Sequence, residues 1–373
     1  MSHNRRPLSV ALVGLGRVAD KHLKAIRFWE SKGELVLAAA VDPKENVRAK
    51  KLQAAGYQRE IPCFSCLEDM LREVVPDICA ITGPSGSHFA LAKEALQAGC
   101  HLLVEKPFTL DLDEADELIE LAGSNNLKIS VGHIYRYMIT IKELQEDLSA
   151  GKFGRILNAA VIVRWGHDQA YYDQSDWRGS WSEDGGALMN QTVHALDLMS
   201  YLCQALPVTT TAEIARLCHN IEAEDFGLGI FRLDNGALLS VEGTTVGFPE
   251  NKEASIFLQT ENSAIRASVS NGKLNFKILG KDGSSQERKY IRLSLANMRR
   301  RYGLRGLGQI KNPHTAIYDD LITAIREDLE PLASGTRGRD AVAMVLSLYQ
   351  AAREKRTVDF PPTERKITSQ DIR

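Results

Sequence analysis

The chain lacks a long apolar run, a surplus of positive charge and a cysteine framework, and each absence removes a class of function. Its first apolar stretch, LSVALVGLG from Leu8, is broken by glycines and falls far short of the roughly 20 residues a membrane helix needs. No small-residue cleavage site of a secretory signal follows it, so a cytoplasmic protein without a membrane partner is expected. Lysine and arginine total 46 against 48 aspartates and glutamates, a formal charge of −2, which leaves no basic excess to neutralise a phosphate backbone. Nucleic acid is therefore not an expected partner. Six cysteines in 373 residues do not read as a disulfide framework without a secretion signal. Cys63 and Cys66 make a C-x-x-C, but no second pair or H-x-x-x-H follows at metal-site spacing, and Cys79 sits inside the apolar run DICAIT, where a small buried residue is the usual role. No metal site is expected.

What is present is the composition of an ordinary folded protein, 44% hydrophobic and 25% charged, in a chain longer than one core usually serves. Two domains are expected. Up to residue 136, short apolar runs (LSVALVGLG, ELVLAAAVD, DICAIT, HLLVEKP, KISVGHIYR) alternate with helical patterns, which implies a doubly wound parallel sheet. From about Phe153 the pattern becomes a succession of strands with Asp234-Asn235-Gly236 and Asn271-Gly272 as turn signals, which indicates hairpins in an antiparallel sheet. The expected fold is an α/β dinucleotide-binding Rossmann domain over 1–136, then an α+β domain over 137–312 with a large, mostly antiparallel open sheet. Helices over 313–373 are expected to return toward the first domain.

At the first strand-to-helix turn stands Gly14-Leu15-Gly16-Arg17-Val18-Ala19. Gly14 permits the tight turn, Gly16 lets the backbone approach a pyrophosphate, and Ala19 lets helix and strand pack closely. Arg17 and Val18 open the helix, whose free N–H groups favour a diphosphate. The second strand ends at Asp42, where a carboxylate accepts from both ribose hydroxyls and repels a 2′-phosphate. NAD is expected over NADP, although Lys44 partly offsets the repulsion. Two further strand ends, Thr82-Gly83-Pro84-Ser85-Gly86-Ser87-His88 and Glu105-Lys106-Pro107, lie where ligands bind in open α/β sheets. A lysine directly after the buried run HLLV is placed to be partly desolvated, and Lys106 reads equally as an ion-pair partner of Glu105.

In order along nearly the whole chain, the glycine turn, Asp42, the Thr82-to-His88 turn, Glu105-Lys106-Pro107, and the helix start Gly185-Gly186-Ala187-Leu188 followed by His194 resemble the glucose-fructose oxidoreductase, inositol dehydrogenase and MocA family. The resemblance implies Thr82, Pro84, His88, Glu105 and Lys106 on the cofactor side, a catalytic His194, and dimerisation through the open sheet to a homodimer or homotetramer. Hydride removal from a secondary alcohol needs a base for the hydroxyl proton and a donor for the developing oxyanion. His194 suits the first task and Lys106 the second, with Lys106 as proton acceptor the alternative.

Asn190, His194 and Asp197 are spaced i, i+4, i+7, one face of a helix. Where many relatives resembling inositol dehydrogenase have aspartate four residues before the histidine, this chain has Asn190, which positions a hydroxyl but takes no proton. The stretch YYDQSDWRGSWSEDGGALMNQTVH most resembles the branch that oxidises the 3-hydroxyl of UDP-N-acetylglucosaminuronate. Arg164 and Arg178 are candidates to grip a sugar carboxylate, with ion pairing to Asp168, Asp173 or Asp176 as the rival reading. Tyr172 and Trp177 are candidates to stack on a sugar or uracil, with core packing as the rival. The run Arg299-Arg300-Arg301 with Arg305 is a candidate to meet a nucleotide diphosphate, with a solvated basic loop as the favoured reading. The expected substrate is a sugar or nucleotide sugar. Other readings are a dehydrogenase of a free sugar or inositol, an NAD-dependent glycosidase with no net redox change, and a dinucleotide sensor, which the presence of both Lys106 and His194 disfavours.

Overall fold

The computed structural model describes residues 6–270 and 273–366, and the side chains at 305 and 307 are not among those described. The Asn271-Gly272 turn signal therefore lies outside the described residues. Two compact units are present among the described residues: 6–109, 113–137 and 309–338 form the first, and 110–112, 138–270, 273–308 and 339–366 the second. The closing segment expected as one piece over 313–373 is thus divided between the units.

In the first unit, strands and helices alternate: β1 (Leu8–Val13), α1 (Ala19–Glu30), β2 (Leu35–Val41), α2 (Glu45–Ala54), β3 (Cys63–Phe64), α3 (Leu67–Glu73), β4 (Ile78–Ile81), α4 (His88–Gln97), β5 (His101–Val104), α5 (Leu112–Ser124) and β6 (Ile129–Val131). All six strands pair in parallel in the order β3-β2-β1-β4-β5-β6. Val10, Leu12, Ile78, Ala80, Leu102 and Val104 are wholly buried, as expected of strands covered on both faces. The strand order reverses between β1 and β4, so their carboxyl ends open the crevice where such sheets bind ligands. Cys66 is the cap residue of α3 and makes no side-chain cap bond.

The second unit adds α6 (Ile141–Ser149), β7 (Ile156–Trp165), α7 (Gln169–Tyr172), a π-helical turn over Leu188–Thr192, α8 (Val193–Cys203), β8 (Pro207–Ala215), β9 (Phe226–Leu233), β10 (Leu238–Thr244), β11 (Lys252–Thr260), β12 (Ser263–Ser270), β13 (Lys273–Gly280) and α9 (Glu287–Tyr302). After α10 (His314–Glu327), which belongs to the first unit, come α11 (Gly335–Glu354) and β14 (Val358–Asp359). Eight strands form one sheet, β13-β12-β11-β7-β10-β9-β8-β14, in which the β7–β10 pair is parallel and the others antiparallel. The β9–β10 hairpin turns at Gly236 with φ of +85°, a left-handed conformation glycine adopts without strain.

One face of this sheet carries the catalytic-candidate helix. A Cβ on Gly243 would meet Thr192 Oγ1 at 2.1 Å and one on Gly227 would meet Leu188 at 2.6 Å, so these glycines let the π turn lie directly on β9 and β10. The opposite face exposes Leu228, Ile230 and Leu238. The run Arg299-Arg300-Arg301 is the last turn of α9 and not a loop. Basic residues there face the negative end of the helix dipole. Among the described residues, no helix is long and apolar enough to cross a membrane.

Candidate active site

The first unit gathers the predicted cofactor residues at its strand ends, and they divide by burial into groups that face outward and groups that hold the shape. Gly14 has φ of +93°, and a Cβ there would stand 2.7 Å from Gly83 N. The turns after β1 and β4 therefore touch through their main chains, and Thr82 bonds them, its N–H to Val13 O at 2.8 Å and its hydroxyl to Gly14 O. Gly16 has open space around it, and Val18 caps α1 without a side-chain hydrogen bond. Among the described residues no side chain caps this helix start, which fits a dinucleotide diphosphate there. Arg17 and Pro84 are exposed and Val18 half-buried. Asp42 accepts from Leu15 N and Lys44 N, both at 2.9 Å, so it organises the glycine turn as well as standing where a ribose would bind.

His88 and Glu105 are buried, and their side chains hold the strand-end turns in shape. His88 Nδ1 lies 2.8 Å from Pro107 O and Nε2 3.2 Å from Gly83 O, clamping two strand-end turns together. Burial pushes its pKa down, and a neutral ring carries a single N–H, so it donates to one of these two carbonyls and packs against the other. Glu105 Oε1 meets His22 Nε2 at 3.0 Å and His314 Nε2 at 3.3 Å. Behind these rings, His22 Nδ1 lies 3.0 Å from Tyr318 OH, and His314 Nδ1 lies 3.1 Å from Asn312 Oδ1. Burial alone would push Glu105 up, but the bonds from His22 and His314 hold it well below the usual carboxylate range. Its other oxygen accepts from Lys106 N at 3.3 Å, and a Cβ on Gly132 would come within 2.9 Å of the carboxyl. Glycine at 132 makes the room that the charge occupies. From Val104 to Leu110, Lys106 is the one residue that is not buried.

In the second unit the chain from Asp184 to Met199 is buried except at Asn190, Gln191 and His194, so these side chains share the accessible face. The Gly185-Gly186 start has a steric cause. Gly185 has φ of +72°, and a Cβ on Gly186 would fall 1.9 Å from Glu224 Oε2. A π-helical turn then precedes His194, a feature often found at functional sites. Asn190 donates to Asp184 Oδ1 and accepts from Gln191 Nε2, while Asp184 Oδ2 accepts from Gly179 N at 2.9 Å. A buried carboxylate therefore stands beside Asn190, from a position the sequence spacing did not indicate.

Two of the proposed substrate residues are displaced by the structure. Arg164 lies on the sheet face opposite α8, its Nε 2.6 Å from Glu242 and its Nη1 3.6 Å from Glu253. The strand's alternation explains it: Val161 and Val163 point to the helix and are buried, so Arg164 points away. Tyr172 is buried, and its hydroxyl donates to Thr245 Oγ1 at 2.8 Å, which makes it core. Trp177 is half-buried. Arg178 donates to Tyr171 O at 2.8 Å, lies 4.2 Å over the Tyr171 ring and 5.4 Å from the Trp177 ring, and keeps a buried Nε that has no hydrogen-bond partner. His22, His314, Asp184, Glu224, Asp225 and His219 are the supporting residues that sequence reading missed.

Comparison with known proteins places this geometry. Residues 8–133 match the model for the oxidoreductase family with an NAD-binding Rossmann fold, and 141–284 match the GFO/IDH/MocA C-terminal domain. The chain is 31% identical over 217 residues to the UDP-N-acetylglucosamine 3-dehydrogenase of Acidithiobacillus ferrooxidans, a match covering 57% of this chain and 63% of that protein. The matches to this and the next curated relative span between half and two-thirds of those proteins' lengths. Among solved structures, the WlbA dehydrogenase from Bordetella pertussis in complex with NADH and UDP-GlcNAcA is 28% identical with a TM-score of 0.79, covering 96% of this chain and all of that one. The WlbA dehydrogenase from Chromobacterium violaceum, in complex with the same two molecules, is 27% identical with a TM-score of 0.82, covering 97% of this chain and 98% of its own.

Proposed function

Because the chain belongs to the GFO/IDH/MocA oxidoreductase family, with its NAD-binding Rossmann domain, we propose that it is an NAD-dependent dehydrogenase of a nucleotide sugar that oxidises the 3-hydroxyl of UDP-N-acetylglucosaminuronate. The observation that carries the reading is the accessible face formed by Asn190, Gln191 and His194 on an otherwise buried helix start. The likeness to two dehydrogenases crystallised with NADH and UDP-GlcNAcA supports it.

The bound cofactor supplies the hydride acceptor. In the first unit, Gly14, Gly16, Arg17 and Val18 would hold its diphosphate and Asp42 its ribose. Lys106 orients the sugar hydroxyl and stabilises the developing oxyanion, and His194 takes the hydroxyl proton, since an imidazole of ordinary pKa near 6.5 suits a base at neutral pH. Arg178 is assigned to the uronate carboxylate. Its stacking on Tyr171 fixes the guanidinium, and the unpartnered Nε leaves a donor for an anion. With Arg164 committed to Glu242, Arg178 is the remaining arginine of the two. The exposed Leu228, Ile230 and Leu238 support a homodimer or homotetramer built on the open sheet face.

Calorimetry with the two nucleotide sugars tests the assignment. UDP-N-acetylglucosaminuronate is expected to bind about 10- to 100-fold more tightly than UDP-N-acetylglucosamine, because the neutral sugar leaves a desolvated cation unpaired at about 1.5–3 kcal/mol. Arg178→Met should erase most of the gap. Equal binding by the unmodified protein rejects the uronate, and glycan cleavage without net NADH formation rejects the dehydrogenase.

A further inference from the structure

The start of the His194 helix and the segment carrying Tyr171, Trp177 and Arg178 are tied to one dipeptide, Glu224-Asp225, just before β9. Glu224 catches the helix. Its carbonyl oxygen accepts from Ala187 N at 3.0 Å, and its Oε1 accepts from Leu188 N at 2.8 Å and Tyr349 OH at 3.0 Å. Its Oε2 lies against Gly186 and has no hydrogen-bond partner. A formal charge shared onto a buried oxygen that meets no donor is costly. The proton therefore belongs on Oε2, leaving Oε1 free to accept twice. Burial, with the neighbouring Asp225 charge adding to it, pushes Glu224 up to about 8.

Asp225 catches the other segment. Its carboxylate accepts from Leu217 N at 2.7 Å, from Cys218 N and His219 N at 2.9 Å, and from His219 Nδ1 at 3.0 Å. The second ring nitrogen of His219 faces His167 O at 3.0 Å. Neither acceptor brings a hydrogen, so both nitrogens carry one and the ring is an imidazolium. The bond to Asp225 raises its pKa above the usual histidine value. The held His167 then stacks on Tyr171 with ring centres 3.7 Å apart, beneath Arg178. Asp225 O also accepts from Thr244 Oγ1 and Thr245 N, and Thr245 in turn accepts from His167 N and Tyr172 OH.

We propose that Glu224 and Asp225 are positioning residues of this site, Glu224 fixing the helix that bears Asn190 and His194, Asp225 fixing through His219 the segment that bears Arg178, and that the two ties open independently when their protons are lost at alkaline pH. The proposal deepens the functional reading above and rests on it. The titratable and charged groups facing the ties are Asp225 and Tyr349 around Glu224, and Asp225, Asp168, His167 and Tyr172 around His219. Both groups bind protons more tightly folded than unfolded. The contribution of His219 is complete below its ordinary 6.5 and lost as pH rises through its raised value. That of Glu224 is complete below 4.5 and lost as pH rises through about 8.

Hydrogen exchange on the full chain without ligand, at about pH 7 and about pH 9.5 and corrected for intrinsic rates, tests the ties. The unmodified protein is expected to lose about tenfold in protection over 184–194 and over 167–178 at the higher pH. Glu224→Gln, which keeps shape but cannot ionise, should retain protection over 184–194 and still lose it over 167–178. His219→Gln should lose it over 167–178 at both pH values. Equal protection at both pH values in the unmodified protein, or Glu224→Gln following it over 184–194, overturns the proposal. In turnover, the fall in kcat/KM through the Glu224 value should be absent from Glu224→Gln, and an unchanged alkaline limb also overturns it. No substrate enters the exchange measurements, so their failure and a failure of the uronate assignment are separable.

Discussion

Two glutamates, one in each unit, are both buried, yet one is ionised and the other neutral. Glu105 and Glu224 are 8% and 0% exposed, and burial pushes both toward the neutral form. Glu105 stays ionised because two imidazoles are aimed at its carboxyl, whereas Glu224 meets only a main-chain N–H and a tyrosine hydroxyl, with an ionised aspartate beside it. Depth alone does not decide the protonation of a carboxyl; the donors aimed at it and the charges beside it do. Each acid stands behind one proposed catalytic side chain, Lys106 on the Glu105 side and His194 on the Glu224 side. The first is therefore held by an electrostatic network and the second by neutral hydrogen bonds.

The largest expected effect comes from removing the side chains in front of the acids. Lys106→Met and His194→Ala should each lower turnover by about 100- to 10,000-fold, the usual contribution of acid–base groups, with NAD affinity within a few-fold. Near-normal turnover in either variant breaks the pairing of acid and catalytic group on that side. Next in size is Glu105→Gln, which removes the charge that His22 and His314 face. Breaking such a buried pair costs about 3–5 kcal/mol, to be read from urea midpoints at neutral pH. A loss below about 1 kcal/mol would mean the imidazoles do not depend on the carboxylate.

Glu224→Gln is the mildest change and sharpens the contrast through its pH dependence. Because the folded value lies near 8 and the ordinary one near 4.5, wild-type stability declines across that interval, while the glutamine variant has no such proton to hold. The difference in unfolding free energy should move in favour of Glu224→Gln as pH rises from about 4.5 to about 8, then level off. Parallel curves would show that Glu224 is ionised in the folded protein.

Much of the first unit was legible because its signals are local. Gly14, Gly16 and Asp42 announce themselves within about 30 residues of sequence, and the strand-end position of Lys106 follows from a single apolar run. The second unit's sheet was legible for the same reason, through period-two strands and a glycine turn at Gly236. Its site was less so. Arg164 was misassigned because nearness in sequence to the catalytic helix does not say which face of a strand a side chain takes. Tyr172 was misassigned because Tyr171, its neighbour, is the ring that carries Arg178. The partners that tune the acids, His314 for Glu105 and Tyr349 for Glu224, are separated from them by 209 and 125 residues. Contacts of that span leave no periodic trace. The Glu224-Asp225 dipeptide carries no motif of its own, and its role shows only where Gly186 leaves the space that one of its carboxyls fills.

Asp42 spends one carboxylate oxygen on Leu15 N and the other on Lys44 N, so its proposed choice of cofactor and the ordering of the glycine turn would depend on the same atoms. A substitution at this position that relaxed discrimination between the two dinucleotides would also release the glycine turn, and binding of both would weaken before either was preferred. Switching cofactor in this scaffold therefore calls for a compensating acceptor for Leu15 N in the same step, a coupling that makes the trait resistant to drift one residue at a time.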